Sequence, residues 1–123
     1  MTASRERATF RRRSRLLKTG AFRAVYAARA RAADGRLVAY ARPNGLEIAR
    51  LGVSVSRRCG GAVERNRIKR LLREAFRQAR GTFPTGYDVV LVALASGYTF
   101  AEVDRRIRAL VPEAVRRAAR KQG

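Results

Sequence analysis

The spacing of apolar residues along the chain predicts three helices. The first runs from Thr19, a suitable capping residue, to about Ala30. Phe22, Val25 and Tyr26 share one face of this helix, because they are spaced at i, i+3 and i+4. Two of these three residues are aromatic, so the face can either pack into a core or present rings to a ligand.

A second helix is predicted from Ala62 to about Arg80, with Gly61 as its N-cap. At 100° per residue its positions separate into two neighbouring stripes. The apolar stripe consists of Ile68, Leu71, Leu72, Ala75, Phe76 and Ala79. The polar stripe consists of Asn66, Lys69, Arg70, Arg73, Arg77 and Arg80. We expect the first stripe to pack and the second to face solvent or phosphate. Glu64 and Glu74 are expected to lie on the far side, near Arg67 and Gln78, and to offset little of the charge of the polar stripe.

A third helix is predicted to begin at the capping box Thr99-Phe-Ala-Glu102. Its core face consists of Phe100, Val103, Ile107, Leu110, Val111, Ala114 and Val115. Pro112 lies within this pattern, and a proline there removes a hydrogen bond and clashes with the preceding turn. The sequence therefore predicts a kink at Pro112 or a break into two helices.

Three segments are predicted to be strands. Residues 37–42 end at the turn Pro43-Asn44-Gly45, and residues 48–56 are expected to form their antiparallel partner. Residues 87–94 are short and β-branched enough to be a buried strand. The order helix, strand, strand, helix, strand, helix indicates an α+β fold, a small α-β sandwich.

The middle strand has two chemically different faces. Leu51, Val53 and Val55 point one way, and Gly52, Ser54 and Ser56 point the other. The first face is expected to be core. The second is small and polar, and beside an aromatic helix it is expected to leave a groove for an extended ligand.

Charge changes this picture most. The chain of 123 residues has 29 Lys and Arg against 9 Asp and Glu, a formal net charge of +20. We therefore expect a polyanionic partner, while a hydrophobic fraction of 46% indicates a folded chain. Only three of the basic residues are Lys, and the rest are Arg. Arg favours bidentate contacts with phosphate. The base composition of the genome would explain an Arg-rich surface equally well.

Other features bound the organisation and the class of protein. Residues 1–15 are predicted to form a basic, mobile N-terminal arm, and residues 16–123 a single domain that binds the polyanionic partner. The longest apolar run, residues 89–95, is too short to cross a bilayer, and no secretory signal is evident, so we expect a cytoplasmic protein. A lone Cys59 and the lack of His exclude an internal disulfide, a Cys/His nucleophile and the usual zinc sites.

The segment Gly52 to Arg77 joins a small-residue strand, a glycine turn and a cationic helix centred on Arg65-Asn66-Arg67-Ile68-Lys69-Arg70. Together with Gly52-Val53-Ser54-Val55-Ser56, this pattern resembles the signature of the bacterial ribonuclease P protein family. The resemblance extends from about Leu16 to Val115. It implies a central, mostly antiparallel sheet with a left-handed β-α-β crossover, which composition alone does not indicate.

The resemblance also implies a function. The protein would be the subunit of ribonuclease P that binds the catalytic RNA and the 5′ leader of precursor tRNA, while the RNA hydrolyses the phosphodiester with Mg²⁺ that it mainly holds itself. No catalytic or metal-binding residue is expected in the protein, which would be monomeric apart from RNA.

By position in the family motif, the residues lining the leader groove would be Phe22, Tyr26, Tyr40 and Ser54. The helix surface that meets the catalytic RNA would consist of Arg65, Asn66, Arg67, Lys69, Arg70 and Arg73. Further candidate phosphate contacts are Arg57, Arg58 and Arg77.

Alternatives remain at this point. Without the resemblance, core packing is the commoner role for Phe22 and Tyr26, and a solvated helix face is an ordinary role for charged residues. Gly61, Cys59 and Leu94 depart from the family pattern, so no RNA contact is assigned to them, and Cys59 is expected to be a small buried hydrophobe. The alternative function is that of a ribosomal or other structural RNA-binding protein; a DNA-binding architectural protein is disfavoured because no helix-turn-helix spacing or zinc pattern is present.

Overall fold

The computed structural model describes residues 19–122, which form three helices and four strands. The helices are α1 (Thr19–Ala27), α2 (Ala62–Ala79) and α3 (Phe100–Gln122), and the strands are β1 (Arg31–Ala33), β2 (Leu37–Pro43), β3 (Arg50–Val55) and β4 (Tyr87–Ala93). Short 3-10 turns follow β3 (Arg57–Cys59) and α2 (Arg80–Thr82). The predicted arm over residues 1–15 lies outside the described residues.

The four strands form one sheet in the order β1-β2-β4-β3. β1 and β2 are antiparallel, β2 and β4 are antiparallel, and β4 and β3 are parallel. The predicted α+β fold with a mostly antiparallel sheet is therefore confirmed. Because α2 joins the adjacent parallel strands β3 and β4, a β-α-β crossover is present, and its left hand stays a prediction.

The predicted antiparallel pairing of residues 48–56 with β2 is wrong, because β4 lies between β2 and β3. β4 is apolar along most of its length, with Val89, Val90 and Leu91 all buried. A strand that is apolar on both faces loses most contact with water at the centre of a sheet, where both faces are covered. β4 therefore takes the central position between β2 and β3.

The two faces of the sheet are covered unequally. α2 and α3 pack on one face and form the main core, whose fully buried side chains include Leu37, Ile68, Leu72, Phe76, Leu91, Val103, Ile107 and Val111. α1 lies on the other face, where a second cluster has two fully buried residues, Val25 and Val90. Rings on that side are consequently left half-exposed.

α3 runs through Pro112 as one helix, so the predicted break into two helices does not occur. The residues around the proline, Val111, Ala114 and Val115, are buried in the main core. Packing of this face offsets the hydrogen bond that the proline removes.

The start of α3 is anchored to the turn between β1 and β2. The hydroxyl of Thr99 accepts a hydrogen bond from the backbone N–H of Glu102 at 3.1 Å, which confirms the predicted cap. The carboxylate of Glu102 instead accepts from Arg36 at 2.6 Å and from Arg106 at 2.9 Å. Arg106 also contacts Asp34 at 2.5 Å, so a network of ion pairs ties the helix to the turn.

Candidate nucleic-acid interface

Three aromatic rings and a serine come together on the face of the sheet that α1 crosses. We call Phe22, Tyr26, Tyr40 and Ser54 the aromatic surface. The ring centroids of Phe22 and Tyr26 are 6.4 Å apart and those of Tyr26 and Tyr40 are 4.8 Å apart, both edge-to-face. All four residues are half-buried, so the rings are held in place and keep part of their area open to a ligand.

Gly52 allows α1 to approach the sheet. Tyr40 is paired with Val90, and Val90 is paired with Gly52, so the three residues form one row across the sheet. A Cβ atom on residue 52 would lie 2.6 Å from Cζ of Phe22. The space above the glycine, which the sequence predicted to be an open groove, is therefore filled by the Phe22 ring, and the open area lies beside the rings.

The hydroxyl of Tyr26 lies close to the side chain of Ser54. Burial raises the pKa of the Tyr26 phenol, and the hydrogen bond with the Ser54 side chain acts in the opposite direction. The phenol is therefore neutral at physiological pH and can donate a hydrogen bond. This contact links α1 to β3 and orients the central ring of the aromatic surface.

A buried polar cluster lies beside the aromatic surface. Asp88 on β4 is 1% exposed and accepts two hydrogen bonds from the guanidinium of Arg50, each of 2.8 Å, and one from the Asn44 side chain at 2.9 Å. The bond with Asp88 raises the pKa of Arg50. This cluster was not predicted, although a lone Asp within an apolar strand is a detectable signal, since a buried charge needs a partner.

The polar stripe of α2 lies on the side away from the core, as predicted. We call its members Asn66, Lys69, Arg70 and Arg73 the cationic ridge. Asn66, Arg70 and Arg73 are exposed and Lys69 is half-buried, while the apolar stripe of the same helix lies in the core. The ridge can therefore meet a polyanion without any rearrangement of the fold.

The turn between β3 and α2 connects these two surfaces. β3 is an edge strand that carries Ser54, and the exposed Arg57 and Arg58 follow it directly. Ser56 fixes the turn, because its side chain accepts a hydrogen bond from the Arg58 backbone N–H at 3.3 Å. The structure thus places two predicted phosphate contacts at the edge of the sheet between the aromatic surface and α2.

Two further predicted contacts are held by carboxylates. Arg67 binds Glu64 at 2.8 and 2.7 Å and donates to the backbone oxygen of Tyr98 at 3.1 Å. Arg77 binds Glu74 through Nε at 3.0 Å. The predicted placement of Glu64 near Arg67 is confirmed. The expectation that Glu74 offsets little of the charge of the polar stripe is wrong for Arg77, because i, i+3 spacing brings the two side chains into contact.

The ion pair with Arg67 lowers the pKa of Glu64 to about 2. The backbone N–H of Gly97 also lies at 3.4 Å from the carboxylate of Glu64 and acts in the same direction. Glu64 is consequently ionised over the physiological range, and it joins the start of α2 to the loop before α3.

Arg65 is half-buried and differs from its neighbours on the helix. Its Nε is buried and makes no hydrogen bond to any residue between 19 and 122. A guanidinium has five N–H donors in a planar fork, so the remaining donors can still bind a phosphate.

The departures from the family pattern have structural roles. Cys59 is buried beside β4, where its thiol donates to the backbone oxygen of Ala93 at 3.5 Å and burial raises its pKa, which confirms the predicted small buried hydrophobe. Gly61 is the N-cap of α2 and supplies no side-chain hydrogen bond.

Within residues 19–122, no three His, Cys, Asp or Glu side chains come together in a way that could hold a metal ion. No helix in this part of the chain has the length and apolar character of a membrane span.

Comparison with known proteins places this geometry in a family. The Ribonuclease P family model matches residues 10–115. The ribonuclease P protein component of Clostridium kluyveri is 38% identical over 104 residues, which cover 81% of this chain and 93% of that protein. Among solved structures, a Staphylococcus aureus RNase P protein mutant with defective mRNA degradation activity aligns with a TM-score of 0.75 at 25% identity, over 89% of this chain and 94% of that one. The RNase P protein from Thermotoga maritima in complex with 1-(4-fluorophenyl)-2-thiourea aligns with a TM-score of 0.61 at 31% identity, over 67% and 82%.

Proposed function

The chain belongs to the ribonuclease P protein family, and we propose that its aromatic surface and its cationic ridge bind two different RNA segments. Ribonuclease P is a ribonucleoprotein endoribonuclease that removes the 5′ leader from precursor tRNA. This chain is the protein component, and its partner is the ribonuclease P RNA.

The aromatic surface is proposed to hold the 5′ leader of precursor tRNA. The observation that supports this most directly is the continuous contact of Phe22, Tyr26 and Tyr40 on a sheet face where none of the three rings is fully buried. Half-exposed rings stack on unpaired bases with little regard to sequence. A leader that varies between tRNA genes needs that tolerance.

The cationic ridge is proposed to bind the catalytic RNA. Its residues Asn66, Lys69, Arg70 and Arg73 lie on α2, which covers the opposite face of the sheet from the aromatic surface. The protein can therefore contact both RNAs at once, with Arg57 and Arg58 at the edge between them. Arg65 adds donors to the ridge, while Arg67 and Arg77 contribute the donors that Glu64 and Glu74 leave unused.

In this proposal the chemistry belongs to the RNA. The RNA subunit holds most of the Mg²⁺ and hydrolyses the phosphodiester, and no residue of the protein is catalytic. Cationic side chains that neutralise phosphates reduce the repulsion between catalytic RNA and substrate, and so lower the Mg²⁺ concentration needed. We also propose that the protein is cytoplasmic and that it is a monomer when it is not bound to RNA.

The leader site is tested by substrate affinity. Holoenzyme assembled from the full chain and a bacterial ribonuclease P RNA is measured against precursor tRNA and against the same tRNA without a leader. Phe22→Leu keeps apolar contact with Gly52 but removes the ring, and stacking is worth about 1 to 3 kcal/mol per base. We expect affinity for precursor tRNA to fall about tenfold and affinity for leaderless tRNA to stay unchanged.

Phe83→Leu is the matched control, because the Phe83 ring packs against Phe76 in the main core at 5.2 Å. It should lower stability without a leader-specific loss of affinity. Equal losses of affinity for both substrates with Phe22→Leu would contradict the proposal.

The alternative function is tested by adding the protein to a bacterial ribonuclease P RNA and precursor tRNA at low Mg²⁺. A structural RNA-binding protein would fail to restore 5′ processing under these conditions.

A further inference from the structure

A second cationic site lies where the end of α1, the end of β2 and the last turns of α3 meet. A cleft of about 320 Å³ is lined there by Ala28, Ala30, Arg42, Pro43, Ala118 and Lys121. Its walls are apolar, and its two charged lining residues, Arg42 and Lys121, are both exposed cations. The combination fits a group with an apolar body and an anionic end.

The residues around the cleft keep its charge positive. Arg31 follows the lining residue Ala30 in the chain and Arg117 precedes the lining residue Ala118. Arg117 donates a hydrogen bond of 2.5 Å to the backbone oxygen of Arg31. The carboxylates on the elements around it are already paired. Glu113 on α3 is shared by Arg116, Arg117 and Arg120, and Asp88, which lies opposite Arg42 in the sheet, is bound by Arg50. A polyanion is the complementary partner.

Arg29 sits in the chain between the two alanines that line the cleft, and its backbone has a φ of 60°. This left-handed conformation usually follows the end of a helix as a glycine, because a Cβ atom makes it unfavourable. Arg29 does not line the cleft, but its exposed side chain adds a positive charge to the segment between Ala28 and Ala30 in spite of that cost.

The cleft continues the aromatic surface. Arg42 follows Tyr40 by two residues on β2, so both side chains point to the same face and lie about 7 Å apart along the strand. β2 is separated from β3 by β4, so Arg42 lies toward the edge of the sheet away from Arg57 and Arg58. An RNA strand that is stacked on Tyr40 and continues along β2 toward Pro43 would reach Arg42 next.

We propose that this cleft binds a phosphate of the 5′ leader beyond the nucleotides stacked on the aromatic surface. Arg42 can bind the phosphate with two N–H groups, Lys121 adds a point charge, and the alanine and proline walls contact the sugar. The protein then measures leader length as well as holding the leader. This inference rests on the proposed leader site.

The test compares precursor tRNAs that differ only in leader length, bound to holoenzyme made with the full chain. The variant Arg42→Ala/Lys121→Ala is compared with Arg105→Ala/Arg108→Ala, which removes the same charge from α3 about 20 Å or more from Lys121. With wild-type protein, affinity should rise when the leader becomes long enough to reach the cleft. The cleft variant should lose about fivefold to tenfold in affinity for long leaders and nothing for short ones, with a shallower dependence on salt.

Several outcomes would overturn the proposal. Equal losses at every leader length, or losses matched by the control, would mean that only general charge matters. Weaker assembly with the catalytic RNA and an unchanged dependence on leader length would assign the cleft to that RNA. If Phe22→Leu weakens the binding of short leaders but the cleft variant has no effect at any leader length, the cleft proposal is wrong and the leader site stands. If Phe22→Leu has no effect on any leader, the proposed leader site is wrong as well.

Discussion

The Phe22 ring occupies the space in which any residue other than glycine at position 52 would place its Cβ atom. That atom would lie 2.6 Å from Cζ and 2.9 Å from Cε1 of the ring. Real Cβ atoms do not approach other carbons so closely, so the glycine on β3 and the ring on α1 depend on each other. The position of the aromatic surface over the sheet follows from this contact.

Gly52→Ala is expected to displace the Phe22 ring toward solvent and to weaken leader binding. Because the ring is half-buried and can move, the free energy of unfolding should fall by only about 1 kcal/mol, the low end of the cost of overpacking. Urea unfolding and the affinity for precursor tRNA measure the two effects.

Gly20→Ala is the matched control for that substitution, because a Cβ atom at Gly20 meets nothing within 4 Å. It should stabilise α1 by up to about 1 kcal/mol and leave leader binding intact. If Gly52→Ala also left leader affinity unchanged, the aromatic surface would not be where the leader binds.

Arg70→Ala tests the cationic ridge. Arg70 is exposed on α2, and alanine is the better helix former, so the melting temperature should not fall. Loss of a phosphate contact should weaken holoenzyme assembly about fivefold at moderate salt, or raise the Mg²⁺ concentration needed for cleavage. Arg105→Ala, on the exposed side of α3, serves as the control. Wild-type cleavage rates at low Mg²⁺ would refute the assignment.

Asp88→Asn tests the buried polar cluster. The substitution removes the partner of Arg50 and should lower the free energy of unfolding by about 2 to 3 kcal/mol, below the largest effects at buried pairs because the Arg50 side chain is 33% exposed. Asp104→Asn, which breaks the more exposed pair with Arg108, should cost less than about 1 kcal/mol. Chemical denaturation measures the free energy of unfolding of both variants. Equally small losses for the two would show that the buried cluster does not contribute to stability.

Glu64→Gln tests the link between α2 and the loop before α3. The pKa of Glu64 is about 2 in the folded protein against 4.5 without the ion pair. The ionised carboxylate therefore stabilises the fold above about pH 4.5, and this contribution is lost as the pH falls toward 2. The wild type should unfold at higher urea than Glu64→Gln at pH 6, and the difference should shrink steadily as the pH falls from 4.5 to 2.

The exposed Glu47 provides the control for this pH dependence, since Glu47→Gln should not reproduce it. A difference between wild type and Glu64→Gln that persisted unchanged at pH 2 would contradict the assigned ion pair with Arg67.

Helices and most strands of this chain follow from apolar spacing, but the strand order does not. Chain neighbours commonly pair, which favoured β2 with β3, whereas the apolar character of β4 on both faces indicates a central strand. That signal was present in Val89, Val90 and Leu91. β1 was not predicted, because Arg31-Ala-Ala33 has no strand propensity and pairs only because β2 presents a free edge.

Residue types on the candidate site were predictable from the family motif, and their partners were not. The meeting of Phe22, Tyr26, Tyr40 and Ser54 depends on how α1 crosses the sheet, which spacing along the chain does not specify. Likewise, the contact of Arg67 with the backbone of Tyr98 joins residues 31 positions apart. Such contacts arise from tertiary packing and become visible only when the elements are assembled.

The unequal covering of the sheet has a consequence for how this protein can change over time. The side chains that carry most of the stability lie under α2 and α3, while α1 is attached through Val25 and Val90 and a few half-buried rings. Substitutions on α1 are therefore expected to change the proposed leader site while the scaffold remains intact. Substrate affinity, proposed for the α1 face of the sheet, can thus evolve separately from stability, which depends mainly on the face covered by α2 and α3.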